Sequence, residues 1–211
     1  MEGFFDDLID SFKKNGRVEE MRQIARANKF RFKDREKFAQ QDYLLKSFTI
    51  FNGKKDKRLK GIMMKEELAF NADIRIYDYW YFGDFKKRKT TVFEIKCAEF
   101  DFPKFEIRTK GLFNKMSDLV LSKEKAFPNA TDFHAAYEIV TEDSEALEIE
   151  LNLQSLNFIL DKKDMLVEGD GDYLLVYFLY KQIPAREIME EYEDVLDFVE
   201  VVFKNDEGEF V

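Results

Sequence analysis

The sequence predicts an α+β fold: a mainly antiparallel sheet with N-terminal helices and a long C-terminal helix packed on it. Three observations predict it. Apolar residues recur at helical spacing through the first forty or so positions, and from Tyr43 the period changes from about 3.6 to 2. Short runs of alternating residues are joined by turn-forming pairs such as Asn52-Gly53 and Gly83-Asp84, as hairpins require. After Pro184 a helical stripe returns, with Ile188, Met189, Tyr192, Val195, Leu196, Val199, Val202 and Phe203 on one side and a row of acids on the other.

Taken in order, Phe4, Phe5, Leu8, Ile9 and Phe12 make one amphipathic helix that Asn15-Gly16 ends, and Val18, Met21, Ile24 and Ala25 make a second reaching Asn28. Asp34 is placed to cap a short third helix through Phe38. Leu45 to Phe51 reads as a strand, paired across Asn52-Gly53 with Leu59 to Lys65. Ala72 to Phe82 is the strongest strand. Its alternation puts Ile74, Ile76, Asp78, Trp80 and Phe82 on one face and Asp73, Arg75, Tyr77, Tyr79 and Tyr81 on the other. Thr90 to Cys97 returns beside it, and Phe105 to Thr109 is a short extended piece. Gly111 to Leu121 has helical spacing, Ala135 to Val140 is extended, and one helix is expected from Ser144 to Leu160. Met165 to Glu168 and Tyr173 to Lys181 form a hairpin across Gly169-Asp170-Gly171-Asp172. With no repeat and no Pro/Gly/Ser linker, 1–211 is expected to be a single domain: an N-terminal helical region over 1–41, a sheet with inserted helices over 43–181, and the C-terminal helix over 184–203.

Composition narrows the function classes. The chain of 211 residues carries 33 aromatic residues, far more than a disordered chain would. A formal charge of −9 gives no support for nucleic acid or anionic lipid as a partner. One cysteine, Cys97, and one histidine, His134, exclude a disulfide framework, a Cys-based zinc site and a two-histidine metal motif. No stretch reads as a membrane span or a signal core, so a cytoplasmic protein is expected.

One constellation suggests enzymatic chemistry. Asp78 followed, after a hairpin, by Glu94-Ile95-Lys96 resembles the PD-(D/E)xK nuclease pattern, with Tyr77 where that pattern has proline. The resemblance implies two carboxylates sharing a divalent cation and a lysine steadying the attacking water or the leaving charge. It holds only if Asp78, Glu94 and Lys96 converge on one cleft, with an acid such as Glu36 nearby. Otherwise Asp78 faces the core and needs a polar partner there, while Glu94 and Lys96 are cross-strand charges at solvent or beside neighbouring strands. Glu168, Asp170 and Asp172 invite a calcium reading, but a glycine-bearing hairpin turn accounts for them without metal. Lys86 to Lys89 read as a solvated hairpin tip and His134 as a structural histidine, with Cys97 buried and inert. Tyr77, Tyr79 and Tyr81 form an aromatic stripe that either lies under an amphipathic helix or stands exposed as a binding platform for a protein partner.

The order of short signatures resembles a family of uncharacterised bacterial proteins, many with membrane segments before the globular region. It is carried by Ala25-Arg26-Ala27-Asn28-Lys29-Phe30, Gly61, Ile76-Tyr77-Asp78-Tyr79-Trp80-Tyr81, Thr90-Thr91-Val92, Phe102-Pro103-Lys104-Phe105-Glu106-Ile107-Arg108, Phe127-Pro128 leading to Tyr137, and Val167-Glu168-Gly169-Asp170-Gly171. The resemblance covers Gln23 to about Phe203 and implies no activity, cofactor or catalytic residue. Together these readings point to a non-enzymatic binding or scaffolding module that works through protein contacts without a cofactor or a metal, with a metal-dependent nuclease using Asp78, Glu94 and Lys96 as the alternative.

Overall fold

The computed structural model describes residues 16–41, 43–83, 86–110 and 126–203. The expected helices at 1–12 and at Gly111 to Leu121 lie outside these. Among the described residues the chain builds an eight-stranded sheet: β1 (Arg31–Lys37), β2 (Lys55–Glu67), β3 (Ala72–Gly83), β4 (Lys86–Cys97), β5 (Phe102–Thr109), β6 (Tyr137–Thr141), β7 (Met165–Gly171) and β8 (Tyr173–Phe178). The spatial order is β1-β2-β3-β4-β8-β7-β5-β6, and every neighbouring pair is antiparallel. The β7–β8 hairpin is thus inserted between β4 and β5. The helices are α1 (described over 16–27), α2 (Thr131–Ala136), α3 (Ser144–Glu150), α4 (Leu153–Asp161) and α5 (Ile188–Phe203).

One face of the sheet carries the helices. Ile74 and Ile76 of β3, Phe93 and Ile95 of β4, Ile107 of β5 and Val176 of β8 pack with Met21 of α1, Phe133 of α2, Leu147 of α3 and Ile159 of α4. On α5, Ile188, Tyr192, Val195, Phe198, Val199 and Val202 are buried, each worth about 1.5–3 kcal/mol relative to exposure. Phe198 extends the expected stripe. Gly61, at φ +61° beside a register shift in β2, is where α1 meets the sheet: a Cβ there would strike the Met21 side chain.

The opposite face is covered differently. Leu45 to Phe51, expected to be a strand, is a short 3-10 turn, Leu45–Ser47, followed by further turns that lie across the sheet. Its apolar residues Leu45, Phe48, Ile50 and Phe51 face Leu59, Tyr77, Tyr79, Val92, Leu175 and Tyr177. Hydrophobic alternation alone does not separate a strand from a turn-rich cover with the same burial need. β2 therefore finds its partner in Arg31–Lys37, which pairs along it instead of forming the helix expected after Asp34.

Two other boundaries differ from expectation. The helix predicted from Ser144 to Leu160 is two helices, because Leu151 is extended (φ −116°, ψ 156°) and Asn152 starts a new one, its side chain accepting from the Ser155 N–H at 2.7 Å. Gly169 lies within β7, opposite Phe105 of β5, and not in the turn. A Cβ at Gly169 would fall on the Phe105 ring, so the glycine makes room for the aromatic side chain across the ladder.

Candidate functional site

The three nuclease-like residues do not converge. Asp78 lies opposite Thr91 in the β3–β4 ladder, whereas Glu94 lies opposite Arg75, three residues away on β3. A three-residue offset on a strand means opposite faces. Asp78 is on the helix face, where it accepts hydrogen bonds from Thr91 Oγ1 at 2.9 Å, from Arg17 Nε at 3.2 Å and from the Gln182 side-chain amide. The Arg17 pair ties α1 to the sheet and compensates a carboxylate that would be costly to bury alone.

Glu94 is on the other face and buried, not at solvent, and is a cross-strand charge directly opposite Arg75 of the neighbouring strand. Arg75 gathers its surroundings: it donates to Glu94 Oε1 at 3.2 Å, to Gln41 Oε1 at 2.8 Å and to Glu36 Oε1 at 3.4 Å. Burial raises the Glu94 pKa against the pull of Arg75, and burial of Arg75 is outweighed by Glu94, Tyr77 and Glu36, which keep it protonated. Lys96, two residues along, points away to Asp172 at 3.4 Å and lies over the Tyr173 ring. The expected acid Glu36 is present, but on Arg75, and the arrangement is an ion-pair network that Gln41 joins.

The tyrosine stripe is covered and not displayed. Tyr77 and Tyr79 are fully buried and Tyr81 nearly so. Among the described residues what covers them is the turn-rich segment and no α-helix: Phe51 meets Tyr79 edge-on at 4.8 Å, and Phe38 lies 6.0 Å from it. As a binding platform the stripe is corrected. Glu168, Asp170 and Asp172 also diverge: Glu168 goes under the cover, Asp170 accepts from Ser47 Oγ at 3.2 Å, and Asp172 meets Lys96. Among the described residues no group of three or more His, Cys, Asp or Glu could hold a metal ion. His134 Nε2 sits 3.0 Å from the Phe127 carbonyl oxygen, and Cys97 Sγ donates to the Phe70 carbonyl at 3.3 Å, so both serve local structure.

A carboxylate pair that the sequence reading missed lies on the same buried face. Glu106 of β5 and Glu168 of β7 are directly opposite each other. Glu168 accepts from the Thr49 N–H at 2.5 Å, the Ile50 N–H at 2.9 Å and the Tyr177 hydroxyl at 2.6 Å, and so holds down the cover. Burial, and then the neighbouring Glu106, push its pKa up to about 7. Glu106 is raised too, chiefly by burial, although Arg108 lies 3.5 Å away, and among the described residues its Oε1 has no hydrogen-bond partner. The cavity beside the pair, of about 20 Å³, has room for a water molecule and not for a metabolite.

Surface chemistry concentrates at the far end of β3 and β4. Arg17 of α1 reaches the sheet at Asp78. Past it, Trp80 and Phe82 line an open concavity of about 170 Å³ together with Asp56, Arg58, Lys60, Tyr81 and Lys87. Lys60 Nζ lies 4.5 Å and Lys89 Nζ 5.6 Å from the Trp80 ring, and Lys54 and Lys57 lie over Tyr81 and Phe38 on the opposite face. Residues 54–60 and 86–89 hold nine lysines and arginines and one acid, Asp56. The net charge of −9 thus coexists with a local basic cluster that a sum over the chain does not show. The only signal in the sequence was that two short cationic runs flank one hairpin, and their juxtaposition depends on the β2–β3–β4 register.

Among the described residues no helix is long and apolar enough to cross a membrane. No family model and no curated protein matches the chain. A solved structure does: the crystal structure of the mycobacterial trehalose monomycolate transport factor A, TtfA, is similar over 90% of this chain and 92% of that one, with a TM-score of 0.59 and 14% identity. At that identity the likeness is one of fold.

Proposed function

We propose that the chain is a non-enzymatic binding and scaffolding module whose contact surface is the basic, aromatic end of β2, β3 and β4. One observation carries the reading: a concavity lined by Trp80, Phe82, Arg58, Lys60 and Lys87 on a chain of net charge −9. Cations around π-faces attract and hold an anionic partner, and that lining offers no nucleophile paired with a base for turning one over. The fold it shares with a protein named as a transport factor is compatible with such a role.

The test is complementation of a strain lacking the gene. Arg58→Glu with Lys87→Glu is expected to abolish function while the protein stays folded, and Glu94→Gln, which keeps an acceptor for Arg75, is expected to retain it. Loss of function in folded Glu94→Gln, or full function in the doubly reversed protein, would overturn the reading.

A further inference from the structure

The partner chemistry can be read from how the cations are arranged, on the basis that this end is the contact surface. Lys54 and Lys57 stand on one face of the sheet and Lys60 and Lys89 on the other, each over an aromatic ring, while Lys55, Arg58, Lys86 and Lys87 are exposed. Among the described residues none of Lys54, Lys55, Lys57, Arg58, Lys86, Lys87 or Lys89 meets a carboxylate at ion-pair distance. These residues ring the end of a sheet, with the turn after Phe51 and the start of β4 both at that end. A groove that tracks a nucleic-acid strand would instead line its cations along one face, with aromatics spaced for successive bases.

Aromatic groups accompany the ring. Phe82 is 38% and Tyr180 41% exposed, and the Arg88 guanidinium lies 4.1 Å from the Tyr180 ring centre. Lysines and arginines beside partly exposed aromatic side chains match the interface of a bilayer, where the rings sit at headgroup level.

Summed over the sequence, the rest of the chain is net negative. At the other end of β3, about 40 Å away for a twelve-residue strand, Glu66, Asp73, Glu99 and Asp101 are exposed. The C-terminal end of α5 packs there through Phe203 on Phe70 and Phe100, with Glu193, Asp197 and Glu200 outward. A net charge of −9 repels an anionic surface from most directions, so the charge separation fixes one approach, end-on.

We propose that the β2–β3–β4 end docks electrostatically onto an anionic lipid surface, with the acidic end held away. Each cation brought to such a surface is worth about fivefold in affinity. Trp80 is the single tryptophan of the chain and lies in the concavity, so its emission reports directly on contact.

The experiment titrates the full chain with phosphatidylcholine vesicles and with vesicles containing about a third phosphatidylglycerol, following Trp80 emission and co-sedimentation. The expected result is a spectral shift and pelleting with the anionic vesicles alone, lost at about 1 M salt, where the screening length falls to about 3 Å. Reversing Lys86, Lys87 and Lys89 to Glu should weaken binding by at least about a hundredfold. Reversing the exposed Lys29, Lys110 and Lys163 to Glu makes the same change in net charge and should cost far less. Equal binding to neutral vesicles, no binding to anionic ones, or equal loss in the two reversed proteins would overturn the proposal. A shift with a thymidine oligonucleotide or polyglutamate but not with vesicles would overturn lipid docking and leave the binding module standing. No shift with any of these anions would overturn both.

Discussion

The Glu106–Glu168 pair makes the stability of this protein fall as pH rises through neutrality. The sign follows from proton counts. A folded-state pKa raised from 4.5 to about 7 means that between those values the folded chain holds a proton the unfolded chain has released. Stability is therefore greatest below about pH 4.5 for this group, is lost progressively up to about pH 7, and stays lost above. The full difference is about 3 kcal/mol. Glu94, Asp170 and Glu191 are raised in the same direction, by burial first in each case. Glu36 and Glu67 are lowered, so the stability they add is constant above about pH 4.5 and is lost only as pH falls below it. Glu106→Gln separates the effect from general packing. The amide keeps an oxygen for Arg108 and turns an N–H toward Glu168, replacing repulsion by a hydrogen bond. Urea unfolding between pH 5 and 8.5 should show the variant as stable as the wild type or more so at pH 8, with a shallower slope below. An equal loss of stability at every pH, or a wild-type stability that rises toward pH 8, would refute the assignment.

Three further outcomes follow from particular contacts. Gly169→Ala should cost about 1–3 kcal/mol in denaturant unfolding, because its Cβ falls within 2.8 Å of Phe105 Cζ, and Phe105→Ala in the same background should cost less than in the wild type. Asp78→Ala should destabilise by about 3 kcal/mol by leaving Arg17 uncompensated, and Arg17→Met should recover some of that loss in a double-mutant cycle. Phe198→Ala should lower stability by about 3–5 kcal/mol as a fully buried ring of α5, while Asp197→Ala beside it should leave the midpoint unchanged.

What was legible in the sequence is what period and turn chemistry determine. The two faces of β3, the β7–β8 hairpin and the C-terminal stripe follow from spacing alone, and the antiparallel α+β class follows from them. The misread segments are those where burial and local geometry disagree. Leu45 to Phe51 has the apolar content of a buried strand but is a turn-rich lid, and its backbone finds some of its bonding in Glu168, 118 residues away from Ile50. Arg31–Lys37 is almost entirely charged and pairs as an edge strand, where charges discourage further pairing, so it carries no inward hydrophobic pattern to read.

The candidate site was less legible because its properties belong to pairs. Asp78 and Glu94 look like a metal site in one dimension, and only the register, Asp78 opposite Thr91 and Arg75 opposite Glu94, shows that a sheet stands between them. The Glu106–Glu168 repulsion likewise arises between residues 62 apart that no local motif connects. Net charge misled for a related reason. A sum over the chain discards position, and the same −9 describes a molecule with nine cations gathered at one end of the sheet and exposed acids at the other.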